Sequence, residues 1–146
     1  MNYESLSIGL FGGSFNPAHK GHLHVARTAL RALNLDQVWW MVSPQNPLKP
    51  KQPSYESRVA TVEELGLPYA MKISHMETEF NTQYTVDTLT RAKTKWPKTN
   101  FVFLMGADNL LQLPKWRQWQ TIMNTMPIAV IARPCLLYTS PSPRDS

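Results

Sequence analysis

Short apolar runs alternate with longer amphipathic stretches along most of this chain, and that alternation constrains the fold more than any other feature. Strand-like segments fall at about Leu6 to Phe11, Gln37 to Val42, Met71 to Met76, Asn100 to Met105 and Pro127 to Ala132. They are continuous apolar runs rather than in-and-out alternations, the pattern of strands buried on both faces. Helical periodicity fills the gaps, at about His19 to Leu33, Ser54 to Leu65, Thr85 to Trp96 and Lys115 to Asn124. The first carries Val25, Ala26, Ala29, Leu30 and Leu33 at helical spacing; the third has Thr85 as N-cap, ahead of Val86, Leu89 and Ala92. Strand and helix in alternation predict an α/β fold. Its sheet is doubly wound and parallel, with about five strands, helices on both faces and right-handed crossovers.

At 146 residues the chain has the length of one domain and can bury a core without disulfides or structural metal. One cysteine, Cys135, excludes an internal disulfide and a cysteine-based zinc cluster. No apolar run is long enough for a signal peptide or a membrane span, so a cytoplasmic protein without membrane contact is expected. The formal net charge of +5 and a pI near 9.5 suit an anionic partner. The basic residues are scattered, which argues against nucleic acid; the dense stretch Arg91 to Lys98 reads as a solvated helix end. After Pro134 the sequence CLLYTSPSPRDS carries no helix or strand pattern. The expected organisation is a domain over residues 1–134 and a disordered or non-native tail over residues 135–146.

Doubly wound sheets bind ligands beyond the carboxyl ends of their strands, near the point where strand order reverses. Three polar stretches follow strands here: GGSFNPAHKGH from Gly12 to His22, SPQNPLK from Ser43 to Lys49, and GAD from Gly106 to Asp108. The first is a glycine-rich turn leading into a helix, whose N–H groups and dipole favour phosphate. It is neither the GxGxxG fingerprint nor the GxxxxGK[ST] loop. His19 and His22 lie three residues apart and leave the first helical turn on one face, with Gly21 between them. Imidazoles there can donate hydrogen bonds to phosphate oxygens and, when protonated, offset charge growing on a leaving group. Two other readings of the pair stay open. A zinc site would need further ligands, and His24 faces elsewhere while His75 is isolated. A structural role, capping or packing, needs none.

GGSFNPAHKGH resembles the GxFxPxHxGH signature of a nucleotidyltransferase superfamily. Its members include nicotinate- and nicotinamide-nucleotide adenylyltransferases, pantetheine-phosphate adenylyltransferase and the HIGH-motif tRNA synthetases. QYTVDTL (Gln83 to Leu89), FLMGADNLLQLPKW (Phe103 to Trp116) and IARP (Ile131 to Pro134) are similar in order and spacing to the bacterial nicotinate-nucleotide adenylyltransferases. The resemblance implies a Rossmann-like fold and transfer of AMP from ATP to nicotinate mononucleotide, giving deamido-NAD and pyrophosphate in NAD biosynthesis. It also implies magnesium with the ATP, and direct attack of the mononucleotide phosphate without a covalent enzyme intermediate.

Residue by residue, the match implies that His19 and His22 hold the ATP phosphates and stabilise the transition state. Gly12, Gly13, Ser14 and Phe15 would line the phosphate cradle, and Gly106 and Asp108 the adenosine, with the Asp108 carboxylate accepting from the ribose hydroxyls. Ser14, Lys49, Thr85 and Trp116 would meet the mononucleotide, Lys49 through charge, Thr85 beside the nicotinate carboxylate and Trp116 by stacking on the pyridine ring. The loop before Lys49 reads NPLK where the family usually has PPHK, so the family's histidine role has no carrier here. Family members also continue past the RP with an ISST-x-IR segment that binds ATP phosphates, and nothing like it follows Pro134. On that departure the alternative is a non-catalytic nucleotide-binding fragment. Another transferase of the superfamily, such as pantetheine-phosphate adenylyltransferase, would leave the Trp116 and Thr85 segments unexplained.

Overall fold

Each of the five apolar runs forms a strand. The computed structural model describes residues 3–44, 52–82, 84–111, 113–132 and 136–140, with Asp108 and residues 136–140 as backbone alone. The elements in order are β1 (Ser7–Gly13), α1 (Lys20–Ala32), β2 (Gln37–Val42), α2 (Tyr55–Glu63), β3 (Met71–Ser74), α3 (Met76–Glu79) and α4 (Thr85–Lys95). They continue with β4 (Asn100–Gly106), α5 (Ala107–Leu110), a 3-10 turn (Leu113–Lys115), α6 (Trp119–Thr125), β5 (Ile128–Ala132) and β6 (Leu136–Ser140). Strands β1 to β5 are mutually parallel, and the sheet order among the described residues is β3-β2-β1-β4-β5-β6. β6 pairs antiparallel with β5, from Ile128 opposite Ser140 to Ala132 opposite Leu136. The sequence pattern did not signal this sixth strand, which lies in the stretch read as a patternless tail.

Alternate residues along each strand serve opposite faces. Ile8, Leu10, Trp39, Met41, Phe101 and Phe103 pack on one side with Val86, Leu89 and Ala92 of α4 and Ile122 of α6. Phe11, Val38, Trp40, Val42 and Leu104 pack on the other with Leu23, Val25, Ala26 and Ala29 of α1 and Val62 of α2. The tryptophan pair therefore belongs to both cores, one ring to each. At Gly9 in β1 a Cβ would fall 2.6 Å from Leu104 Cδ1 and 2.8 Å from Leu35 Cδ1. The two leucine side chains fill the space over Gly9, and a side chain there would have to displace them.

Two boundaries differ from the sequence reading, and two short helices are added to it. Tyr84, not Thr85, holds the N-cap position of α4, with no side-chain cap bond, and Thr85 opens the helix. The helix expected over Lys115 to Asn124 is divided, because Gln118 sits at φ 51, a left-handed conformation that α-helix cannot pass through. The short helices α3 and α5 had no sequence signal. Among the described residues no helix is long and apolar enough to cross a membrane.

Candidate active site

The turn between β1 and α1 is held by its own histidines. His19 is the N-cap of α1, and its Nδ1 accepts the Gly21 backbone N–H at 3.1 Å. His22, three residues on, accepts the His19 backbone N–H through Nδ1, also at 3.1 Å. This reciprocal pair is a capping box with imidazoles where serine and glutamate are usual. The structural role left open by the sequence is therefore real, and it is carried by Nδ1 of each ring. A neutral imidazole whose Nδ1 accepts carries its proton on Nε2, a donor. The two rings stand together, their centroids 3.9 Å apart.

Phe15 fixes the turn from beneath. It takes a φ of 49 and is only 2% exposed, meeting Phe11 edge-on at 5.3 Å and His22 edge-on at 5.1 Å. A non-glycine residue in the left-handed region is strained, and its burial among aromatic rings offsets the cost.

Helix α2 supplies the rest of the support. Ser54 caps it, accepting from the Ser57 N–H at 3.1 Å. Arg58, 1% exposed, donates from Nη1 to the Ser14 carbonyl at 3.0 Å and to Ser43 Oγ at 3.3 Å, and from Nε to the Pro53 carbonyl at 3.1 Å. One turn later Thr61 Oγ1 accepts the Ala18 N–H at 2.9 Å and donates to the Arg58 carbonyl at 2.7 Å. A loop of backbone groups that could not pair with itself is thus satisfied from a helix over forty residues away in sequence.

Two cavities open above this frame, at the carboxyl ends of the strands. The first, about 730 Å³, is lined by Gly12, Gly13, Ser14, Phe15, His19, His22, Gly106, Ala107 and Asn109, with Ile131 and Ala132 closing the far side. The second, about 560 Å³, is lined by Met41, Ser43, Glu77, Tyr84, Thr85, Thr88, Phe103, Lys115, Trp116 and Arg117. Gly12, Gly13, Ser14 and Asn109 border both. They therefore straddle the line between β1 and β4, where strand order reverses and such folds bind ligands.

The residues singled out by sequence divide between these cavities. His19, His22, Phe15 and Gly106 fall on the first, Thr85 and Trp116 on the second, and Gly12, Gly13 and Ser14 on the shared wall. Lys49 lies outside the described residues. So does the Asp108 side chain, whose backbone sits in α5 between two residues that line the first cavity. Ser43, Arg58 and Glu77 were missed. Glu77 follows β3 as the three polar stretches follow β1, β2 and β4, and Ser43 opens the SPQNPLK stretch, so position after a strand is the sequence signal for both. Arg58 had no signal, because a buried arginine and a solvated one look alike in a helix.

Glu77 is the electrostatic singularity of the site. It is half-buried on the wall of the second cavity, and burial pushes its carboxyl up to about 8, with the positive charge of Arg58 offsetting part of the effect. Trp116 is half-buried beside it, edge-on to Phe103 at 6.2 Å. Arg117 stands 4.9 Å over the ring of Tyr84. Among the described residues no group of three or more His, Cys, Asp or Glu side chains is arranged to hold a metal ion.

The chain is 53% identical over 131 residues to a probable nicotinate-nucleotide adenylyltransferase of Parvibaculum lavamentivorans, covering 88% of this chain and 65% of that protein. It is 48% identical to one from Caulobacter sp., covering 88% and 69%. The chain thus spans about two thirds of the length of the curated relatives it matches, and 65% of the first of them. In fold it is similar to a Plasmodium falciparum nicotinic acid mononucleotide adenylyltransferase complexed with NaAD, at a TM-score of 0.77 and 18% identity, covering 88% of this chain and 65% of that one. The family model of cytidylyltransferase-like proteins matches residues 10–146. A strand order that reverses at β1 and β4, a histidine-capped turn at the reversal and this match agree: the chain belongs to the cytidylyltransferase-like family, beside bacterial relatives that carry the nicotinate-nucleotide adenylyltransferase name.

Proposed function

We propose that this chain carries the catalytic core of a cytoplasmic nicotinate-nucleotide adenylyltransferase, with ATP in the first cavity and nicotinate mononucleotide in the second. The observation that carries this reading is the shared wall: Gly12, Gly13 and Ser14 border both cavities, beside the paired imidazoles. Two nucleotides seated on either side of it would bring their phosphates together there. An oxygen of the mononucleotide phosphate attacks the α-phosphorus of ATP, a P–O bond forms, the α–β bridge bond breaks and pyrophosphate departs with its electron pair. No side chain acts as nucleophile, so the protein contributes alignment and charge. His19 and His22 donate through Nε2 to the phosphates and hold charge on the leaving group, while the cradle's backbone N–H groups and the N-terminus of α1 add to the same field.

In the second cavity Trp116 offers a flat face to the pyridine ring and Thr85 a hydroxyl to its carboxylate. Lys49 would neutralise the mononucleotide phosphate and Asp108 would accept from the ribose of ATP. Magnesium fits as a companion of the nucleotide rather than as a resident of a protein cage, since it is usually held by substrate phosphates with few carboxylates. When bound it would neutralise phosphate charge.

The test is pyrophosphate release from ATP and magnesium, with nicotinate mononucleotide, nicotinamide mononucleotide and phosphopantetheine as separate acceptors. Release with nicotinate mononucleotide is the expected result, and preference for nicotinamide mononucleotide would overturn that choice of acceptor. Release with phosphopantetheine alone would assign the chain to another branch, and ATP binding without release would make it a nucleotide-binding fragment.

A further inference from the structure

We propose that Glu77 is a specificity-determining residue of the second cavity, discriminating between the acid and the amide of a pyridine mononucleotide through the protonation state of its carboxyl. The inference rests on the reading of that cavity as the mononucleotide site. Its geometry stands independently of any titration. Glu77 is a wall residue of the same cavity as Thr85 and Trp116, and Arg58 lies buried on α2 behind the wall that Ser14 and Ser43 form. No other carboxylate side chain borders that cavity among the described residues.

The two candidate ligands differ in one respect that such a group can sense. Nicotinate mononucleotide carries a carboxylate on its ring; nicotinamide mononucleotide carries a neutral amide there. A protonated Glu77 can donate its O–H to the ring carboxylate, whereas an ionised Glu77 repels it and accepts from the amide N–H instead. Preference for the acid should therefore be high while the carboxyl holds its proton and fall once it is lost. With the carboxyl pushed up to about 8, the change is centred near that pH. Even without direct contact, a like charge as far as about 10 Å away at an effective dielectric of about 20 is enough to shift binding by roughly tenfold.

The charges around Glu77 decide where its proton leaves. Arg58 on α2 favours ionisation. Tyr55 and Glu56, also on α2, interact with Arg58; Tyr55 also interacts with Glu77 itself and shares a 2.7 Å hydrogen bond with Nδ1 of His75, just ahead of α3. Glu79 of α3 and Asp87 of α4 are exposed, and Lys115 and Arg117 reach the cavity from the 3-10 turn and the residues after it. The ligand itself does not change charge in this window, since a phosphate monoester loses its second proton near pH 6.

The experiment measures kcat/KM for both mononucleotides with the 146-residue chain between pH 6.5 and 9.5 and takes their ratio. Losses of active fraction, of ATP affinity or of phosphate contacts cancel in that ratio, so a merely structural role does not move it. The acid-to-amide ratio is expected to fall about tenfold through pH 8 in the wild type, to stay flat in E77Q, and to break at higher pH in R58Q. Calorimetric binding of each mononucleotide alone reads the same ratio without turnover. A flat wild-type ratio overturns the proposal, as does an equal fall in a folded E77Q. Should E77Q not fold, the wild-type fall and its displacement in R58Q carry the test, and a break that stays put in R58Q counts against it. If neither mononucleotide binds at any pH, the reading of the cavity fails first; if they bind with a pH-independent ratio, only the role of Glu77 fails.

Discussion

His19 and His22 close the first turn of α1 through Nδ1 at the mouth of a cavity, and the proposed function gives each Nε2 a second task as a phosphate donor. Capping and phosphate binding ask for the same spacing, and that is why the pair was legible in the sequence while its division of labour was not. The two contributions can be separated at position 22. His22→Ala removes both: it should cost about 1 kcal/mol of stability, a shift of a few degrees in melting, and lower turnover by on the order of a hundred-fold or more. His22→Gln keeps an acceptor that can reach back to the N-cap N–H, as in the usual capping box. Its melting temperature should recover most of the way to wild type while pyrophosphate release stays as low as in the alanine variant. Recovery of turnover together with stability would reduce the second imidazole to a cap.

At the level of elements, the long strands and α1 could be read because each repeats its pattern over several residues. α3 and α5 could not, since four residues are barely one helical turn and show no period. The clamp made by α2 was illegible for a different reason: its partners are the Ser14 and Pro53 carbonyls, the Ser43 hydroxyl and the Ala18 N–H, and backbone groups leave no trace in side-chain pattern. Arg58→Met tests the clamp by keeping a long apolar stem while removing every donor. Two carbonyls would lose their partner in a buried setting, and the variant should lose roughly 2 to 4 kcal/mol against urea. Nucleotide affinity should weaken as well, because the Ser14 carbonyl belongs to the wall that both cavities share. Unchanged unfolding midpoints would show that the cradle keeps its shape without α2.

Across the whole molecule, strand order is the property that places the site, and apolar runs cannot reveal it. The alternation specified parallel strands and crossovers; which strand lies beside which depends on long-range pairing, here β1 between β2 and β4. That reversal leaves a crevice, and the chain lines part of it with a carboxyl, Glu77, that the fold holds protonated well above the ordinary glutamate range. Such a group makes the folded state itself sensitive to pH. Unfolded, Glu77 titrates near 4.5, the ordinary value for a glutamate; folded, it keeps its proton until about pH 8. Between those values the folded chain binds more protons than the unfolded one, so stability falls as pH rises, by at most about 1.4 kcal/mol per pH unit, and levels off above 8. Urea midpoints measured at pH 5, 6.5 and 8.5 should decline along the series for wild type. In Glu77→Gln, which has no proton to lose, the decline should be visibly shallower, with the two proteins closest at pH 5 and the variant ahead at pH 8.5. Parallel declines would mean that Glu77 ionises as an ordinary surface carboxylate, and that the cavity wall admits water to it.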